Sequence, residues 1–438
     1  MTWRLILASV LLLLPQLSSG QPVGIAAQIQ VATLSAEDAG ATGRFYELRE
    51  NLPAWTGSAA ARANAKRATA VLADAAGEGL DPDRYRVFTG IWNPGAGDVA
   101  LTSALLRYMS DLAIGRPELR GIDRDMALPA RTIDAPWLLH EALRQGELER
   151  MLATLIPQHP EYAMLKAALA VTPDDQLVAN MERWRWLPAY LEPDRIMVNT
   201  AAADLQMWLG GKLVLTSRVV AGTRANPSPM LRAEGVGITV NPSWTVPHSI
   251  ATKEILPKLK ASRAYLQKND MVLLNGPAGD PHGLTVNWRA MRPGSFPYRI
   301  RQRPGPRNPL GQIKIELPNQ FDVYLHDTSS KAAFVRTERH LSHGCVRVEQ
   351  ILPLASYALS ADPGTLDKIT ALIGTGETHY LAMPKRLPVY FVYWTATQDL
   401  SNNLTLHQDI YGRDQRLISV LRAKPVRVAS SSPNCLRG

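Results

Sequence analysis

The spacing of hydrophobic positions changes character near residue 190. Before it, from about Ala36 to Trp186, apolar residues recur at three- and four-residue steps. Leu101, Ala104, Leu105, Tyr108, Met109 and Leu112 fall on one face of a predicted helix. The same period runs from Leu138 to Ile156, and Gly77, Gly79, Asp81, Pro82, Gly115 and Pro117 mark breaks between helices. Thr172, Pro173, Asp174 and Asp175 read as an N-cap, a first-turn proline and first-turn acids opening a further helix.

From Arg195 the period drops to two. Ile196 and Val198, Leu213 and Leu215, Val219 and Val220, and the run Gly235 to Val240 predict strands. Gly210-Gly211 between two such runs predicts a hairpin, and Asn226-Pro227 and Asn241-Pro242 predict turns. A helix is expected over Thr252 to Gln267, inside an insertion at about 247–306 that is rich in Arg, Pro and Gly. That length exceeds an ordinary connection, and loops so long are usually either disordered or functional lids. Further on, Phe321 to Leu325 predicts a strand and Val348 to Ala361 a helix. Val389 to Ala396 with Asp409 to Asp414 predicts a strand pair closing the sheet.

The candidate chemistry sits in Ser342-His343-Gly344-Cys345-Val346-Arg347-Val348, downstream of Tyr324-Leu325-His326-Asp327-Thr328. A thiol attacks only as its thiolate, so a nucleophilic Cys345 needs an imidazole within reach and an electropositive setting. His326, His340, His343, Arg336, Arg339 and Arg347 crowd this segment. Gly344 removes a side chain where a substrate carbonyl must come close. Zinc is the competing reading of the same residues. Paired ligands of structural zinc sites are usually two to four residues apart, whereas only Gly344 separates His343 from Cys345. No metal and no cofactor is expected.

These motifs resemble the active-site signature of the L,D-transpeptidases, the YkuD-type catalytic domain of enzymes that cross-link bacterial peptidoglycan. The resemblance implies that Cys345 is acylated by a donor stem peptide and that His326 is the base. It also implies that the Asp327 carbonyl orients that ring, and that amides near Gly344 and Cys345 form the oxyanion hole. His343 either polarises the thiolate or braces the loop. Arg347 either pairs with a substrate carboxylate or forms a salt bridge within the fold. Ser342, Tyr324, Asp327 and Trp244 complete the expected substrate contacts, with Tyr298 as a further cleft wall or core aromatic.

Gly79 to Pro82, Leu106 to Leu112 and Asn180 to Pro188 resemble the helical scaffold of the larger YcbB-type members. Those carry a peptidoglycan-binding domain where this chain has only about Lys166 to Leu177, so that module is expected to be absent. The fold class is then α+β: a helical scaffold domain (21–190), then a β-rich catalytic domain (191–421) with a capping insertion (247–306) and a tail (422–438). The implied reaction releases D-alanine from a tetrapeptide stem through a Cys345 thioester and forms a 3-3 cross-link between diaminopimelate residues. The alternatives are an L,D-carboxypeptidase, a hydrolase releasing wall-linked protein, and an inactive wall-binding scaffold. The resemblance further implies acylation by carbapenems, with wall synthases or wall-attached proteins as further partners. A monomer is expected.

The 438 residues leave room for two or three domains. At the N-terminus Arg4, the apolar run Leu5 to Leu14, and small residues at Ser18 and Gly20 predict a signal peptide (1–20) cleaved before Gln21, hence a periplasmic location. The run is shorter than the roughly 20 residues of a membrane-spanning helix. Cys345 and Cys435 are the two cysteines, too few for a disulfide scaffold, and Cys435 reads as an incidental tail thiol. A formal net charge of +9 favours anionic surroundings. No segment interleaves basic and aromatic residues as nucleic-acid binding requires, so an anionic cell wall fits better, with a solvated basic surface as the plain alternative.

Overall fold

A computed structural model describes residues 35–87, 94–360, 362–399 and 401–423. The expected signal peptide, Cys435 and all but the first two residues of the expected tail lie outside the described residues. The chain forms two compact units. Of the described residues, one comprises those up to Asp74, with Pro82–Met109 and Asp134–Leu152; the other comprises Ala75–Asp81, Ser110–Ile133 and those from Ala153 onward. The helical half of the sequence therefore contributes to both.

In the first unit Ser35 and Ser58 cap helices Ala36–Leu48 and Ala59–Ala73, their hydroxyls accepting the Asp38 and Ala61 amides. A buried polar node organises the interior. The Asp98 carboxylate accepts the Ala54 amide (2.8 Å), the Trp55 amide (2.9 Å) and the Tyr46 hydroxyl (2.6 Å). Thr102 takes the Trp55 indole N–H at 2.8 Å. Burial followed by the Asp98 charge pushes the Tyr46 hydroxyl far up, so it remains a neutral donor. The six apolar positions read as one helix face are all buried along Pro94–Ile114.

Helices Pro160–Val171 and Asp175–Arg185 belong to the second unit. Here the cap is Asp174 and not Thr172, because the Thr172 amide still closes the preceding helix on Ala168. Arg185 is 0 % exposed and pairs with Glu182 at 3.2 Å, while also donating to the Tyr162 hydroxyl and the Glu78 carbonyl. Gly115 permits this packing, since a Cβ there would lie 2.4 Å from the Glu182 carboxylate.

The sheet of this unit closes on itself. Its closed ring consists of β1 (Arg195–Asn199), β2 (Asp204–Leu209), β3 (Lys212–Gly222), β4 (Met230–Val240), β5 (Ile313–Glu316), β6 (Leu325–His326), β7 (Val346–Val348) and β8 (His379–Val392), with the short strands Met126–Ala127 and His340–Ser342 added on β4 and β3. The ring order is β4-β8-β1-β2-β3-β7-β6-β5, and β5 pairs back onto β4. Gly210-Gly211 makes the expected hairpin between β2 and β3, both glycines having positive φ. One face of the ring carries Val198, Leu205, Val219, Ile238, Ile315, Leu325, Val346, Val348 and Phe391. These pack with Ile351, Leu354 and Ile369 from the helices that follow.

Three expectations change around the ring and after it. Helix Ile351–Leu359 starts later than Val348, because Val348 is held in β7 opposite Val219. Only Leu325 of the stretch 321–325 is in a strand, and Asp322 turns the chain with φ 52°. Asp409 to Asp414 is no strand: the Asp409 carboxylate accepts the Arg413, Asp414 and Gln415 amides and opens helix Arg413–Leu421.

The insertion is folded. Trp244–Thr245, Ile300–Gln302 and Met271–Leu273 form a three-stranded sheet around its own core, which includes Leu256, Leu259, Leu266, Trp288, Phe296 and Ile300. The helix read over Thr252 to Gln267 instead starts at His248, contains a π-helical turn at Ala251–Ile255 and ends at Ala261. A separate turn follows at Tyr265–Lys268. Truncating Leu325, which is 0 % exposed beside the strand carrying His326, should cost about 2–5 kcal/mol. Chemical denaturation of Leu325→Ala measures this; a loss below about 1 kcal/mol would mean that the site collapses around the missing methyls.

Candidate active site

Register places the chemistry. Strands β6 and β7 run parallel, with Leu325 opposite Val346 and His326 opposite Arg347, and the Val346 amide donates to the Tyr324 carbonyl at 3.1 Å. Strand β5 runs antiparallel on the other side, with Lys314 opposite His326. Leu325, Val346, Val348 and Ile315 face the core. Side chains alternate across a strand, so Tyr324, His326, Lys314, Glu316, Cys345 and Arg347 gather on the opposite face.

Cys345 is partly exposed, and its thiol donates to the Asp322 carbonyl at 3.7 Å. Burial pushes the thiol up. The Tyr324 amide, the Tyr324 hydroxyl and the charge of Lys314 work against that shift, because each favours the thiolate. The Tyr324 hydroxyl is itself raised, by burial and then by Cys345, and stays a proton donor. Lys314 stands 4.4 Å over the Tyr324 ring and pairs with Glu316 at 2.8 Å.

His326 is 4 % exposed and 5.5 Å, ring to ring, from Tyr324. Burial, then the charge of Arg347, pushes its imidazole down to about 3; the Asp327 carbonyl acts in the opposite sense. Nδ1 nonetheless makes no hydrogen bond of ordinary geometry among the described residues. The ring is thus neutral near pH 7, as a proton acceptor must be. Arg347 forms no ion pair among the described residues, and its charge lies close to both Cys345 and His326.

Gly344 has φ 113°, a region that side-chain-bearing residues rarely adopt. Ser342, 3 % exposed, donates to the Cys345 carbonyl at 2.5 Å and accepts the Gly344 amide at 3.1 Å. Ser228 donates to the Gly344 carbonyl at 2.7 Å and accepts the Gly222 amide at 2.9 Å. These bonds bear on two expectations: the Ser342 hydroxyl is committed to the loop, and the Gly344 amide is engaged, which leaves the Cys345 amide without a hydrogen-bond partner among the described residues.

The other candidates disperse. The Asp327 carboxylate accepts the Gln312 amide at 2.9 Å and pairs with Lys331, so it braces the entry to β5. A Cβ at Gly311 would lie 2.3 Å from it. Trp244 belongs to the insertion and packs on that core, as does Tyr298. His340 lies between Glu338 (2.6 Å) and the Thr200 carbonyl (2.8 Å). His343 points to Glu254 of the insertion, its Nε2 at 2.7 Å from the carboxylate. Neither histidine joins His326 and Cys345 in a ligand cage, and among the described residues no such metal-holding group occurs.

Residues 193–370 match the family model of the L,D-transpeptidase catalytic domain, YkuD, and residues 40–169 match that of a scaffold domain. Residues 193–370 therefore match a YkuD L,D-transpeptidase catalytic domain. The chain is similar to a Haemophilus influenzae protein named "Putative L,D-transpeptidase", with 32% identity over 242 residues. That match covers 55% of this chain and 48% of the relative, so the chain spans about half the length of the curated relative. Among solved structures, the Ldtfm–avibactam carbamoyl enzyme aligns at 11% identity and TM-score 0.23, covering 47% of this chain and 51% of that one. A cysteine-to-serine variant of the Enterococcus faecium L,D-transpeptidase aligns at 12% identity and TM-score 0.19, covering 47% and 52%.

Within this L,D-transpeptidase domain, sequence reasoning missed Lys314, Glu316, Asp322 and Glu254. None lies in the signature, and only the alternation of Ile313-Lys314-Ile315-Glu316 gave any hint of a shared face. Alkylation of Cys345 by iodoacetamide should rise with pH to a midpoint above the ordinary thiol value of about 8.5, and Lys314→Met or Tyr324→Phe should move it higher. A midpoint lowered by either substitution would contradict this electrostatic picture. For His326 the unfolded ring, near 6.5, binds a proton more readily than the folded one, near 3. Its contribution to stability is therefore fully present above pH 6.5 and lost as pH falls towards 3. Denaturation of wild type and His326→Gln across that interval should show a steeper acid loss in wild type.

Proposed function

We propose that this chain forms 3-3 cross-links in peptidoglycan outside the cytoplasmic membrane, through an acyl-thioester on Cys345. The observation that carries the reading is a partly exposed thiol on the same sheet face as a buried, neutral imidazole, within the matched catalytic domain. The substrate is a diaminopimelate-containing tetrapeptide stem. The Cys345 sulfur attacks the carbonyl carbon at the L-centre of diaminopimelate while its proton passes to His326. With no hydrogen-bond partner among the described residues, the Cys345 amide is the donor available to the developing oxyanion. Collapse breaks the bond to D-alanine, whose nitrogen takes the proton back from His326. The side-chain amine of a second diaminopimelate then attacks the thioester, and His326 receives its proton and returns it to sulfur. No nucleotide or redox cofactor is needed, because one amide is exchanged for another.

Arg347 and Lys314 both act on the thiol through their charge, and with no ion pair among the described residues Arg347 is available to a substrate carboxylate. The +9 charge and the leader-like residues 1–20 agree with an exported enzyme acting on an anionic wall. Carbapenem acylation of the same sulfur belongs to this reading.

Incubation with a purified tetrapeptide muropeptide, read by mass spectrometry, tests it. A dimer that has lost one D-alanine should accumulate and be absent with Cys345→Ala. Monomer shortened by D-alanine alone would replace the amine acceptor with water and make the chain a carboxypeptidase. No cysteine-dependent product would leave it a wall-binding protein.

A further inference from the structure

The insertion holds an uneven share of charge. Residues 247–306 contain ten Lys and Arg against three Asp and Glu, an excess of seven in a chain whose total is +9. The three acids are already engaged: Glu254 by His343, Asp270 by Arg307, and Asp280 by the Leu284 and Thr285 amides and the Thr285 hydroxyl. All ten cations are exposed, and none forms an ion pair among the described residues.

Three of them are ordered by the backbone. Ile300–Gln302 is the central strand of the insertion's sheet, and its ladder continues in both directions, the Leu274 amide donating to the Arg299 carbonyl and the Arg303 amide to the Asp270 carbonyl. Ile300 and Gln302 point inward at 0 % and 2 % exposure. Arg299, Arg301 and Arg303 therefore stand in a row on the outer face, successive Cα positions about 6.5–7 Å apart. Neighbouring strands leave Arg301 beside Thr245 and Val272, neither of them charged. Such a row presents flat, always-charged donor forks at regular intervals, suited to several carboxylates on one polymer.

We infer that the insertion's arginine row is a docking surface for the carboxylate-bearing stem peptides of insoluble peptidoglycan, separate from the stems bound at Cys345. This rests on the peptidoglycan reading above. Each tetrapeptide stem ends in a D-alanine carboxylate and carries a further one on diaminopimelate, so the wall offers many anions on one scaffold. Helices Pro160–Val171 and Asp175–Arg185 are joined by only 172–174, which leaves no room there for a separate wall-binding module. The insertion also touches the nucleophile segment through Glu254 and His343, so a strand held by the insertion is kept near the reactive thiol.

Sedimentation with purified sacculi tests the docking, using the full chain with Cys345→Ala so that no covalent capture occurs. The triple Arg299→Gln, Arg301→Gln, Arg303→Gln should bind about tenfold more weakly at low salt, and wild-type retention should fall steeply towards about 1 M salt. Sacculi whose carboxylates have been amidated should bind the wild-type surface as poorly as the triple binds native sacculi. A second triple, Lys212→Gln, Lys368→Gln, Arg386→Gln, removes equal charge from exposed positions elsewhere in the catalytic domain. Equal loss in both triples, or none in the first, overturns the proposal, as does retention on phosphatidylglycerol vesicles but not on sacculi. Cross-linking of soluble muropeptides by the chain with Cys345 intact is read separately. Its absence removes the enzymatic reading, whereas its presence with unaltered sacculus binding removes only the docking surface.

Discussion

The parallel pairing of Leu325–His326 with Val346–Arg347 is the constraint on which the site depends. Neither segment has chemistry by itself. Leu325, Val346 and Val348 fix which side of each strand meets the core, and His326, Tyr324, Cys345 and Arg347 are then obliged to face the other way. A slip of one residue would bury the functional side chains and expose the apolar ones, so hydrophobic burial holds the reactive groups in place without touching them. The bonds from Ser342 and Ser228 serve the same end at closer range, fixing the peptide before the sulfur in a conformation open to glycine.

Electrostatics on that face has a consistent sign. Lys314 stabilises the Cys345 thiolate, and Arg347 and Lys314 both oppose an imidazolium at His326. Burial opposes both charged forms. The thiol and the imidazole on this face are consequently each biased towards the uncharged form. A thiol held protonated in this way is less nucleophilic at neutral pH than a stored thiolate.

The signature motif made Cys345, His326 and Gly344 legible because chemistry and backbone geometry both restrict the residues at those positions. Strand periodicity in the second half was equally legible, including the Gly210-Gly211 hairpin. Helix ends were not: whether Thr172 or Asp174 caps depends on where the previous helix stops, and Val348 was claimed by a strand pairing remote in sequence. Lys314 and Glu316 were invisible because an alternating strand names its two faces without saying which neighbours share them. The insertion looked like a loop, since Pro and Gly punctuate it; its core is assembled from aromatics and leucines too scattered to show a period.

The insertion leaves the ring at Val240 and returns at Ile313, and these two residues are direct partners across β4 and β5. In topological terms it is the loop of a hairpin, however much structure it has acquired. Its two ends are held about 5 Å apart by the ring itself, so lengthening, shortening or exchanging what lies between them changes the closure entropy only logarithmically and leaves strand order untouched. The ring and its appendage are therefore constrained differently, the one pinned by register and the other free to change in length and content.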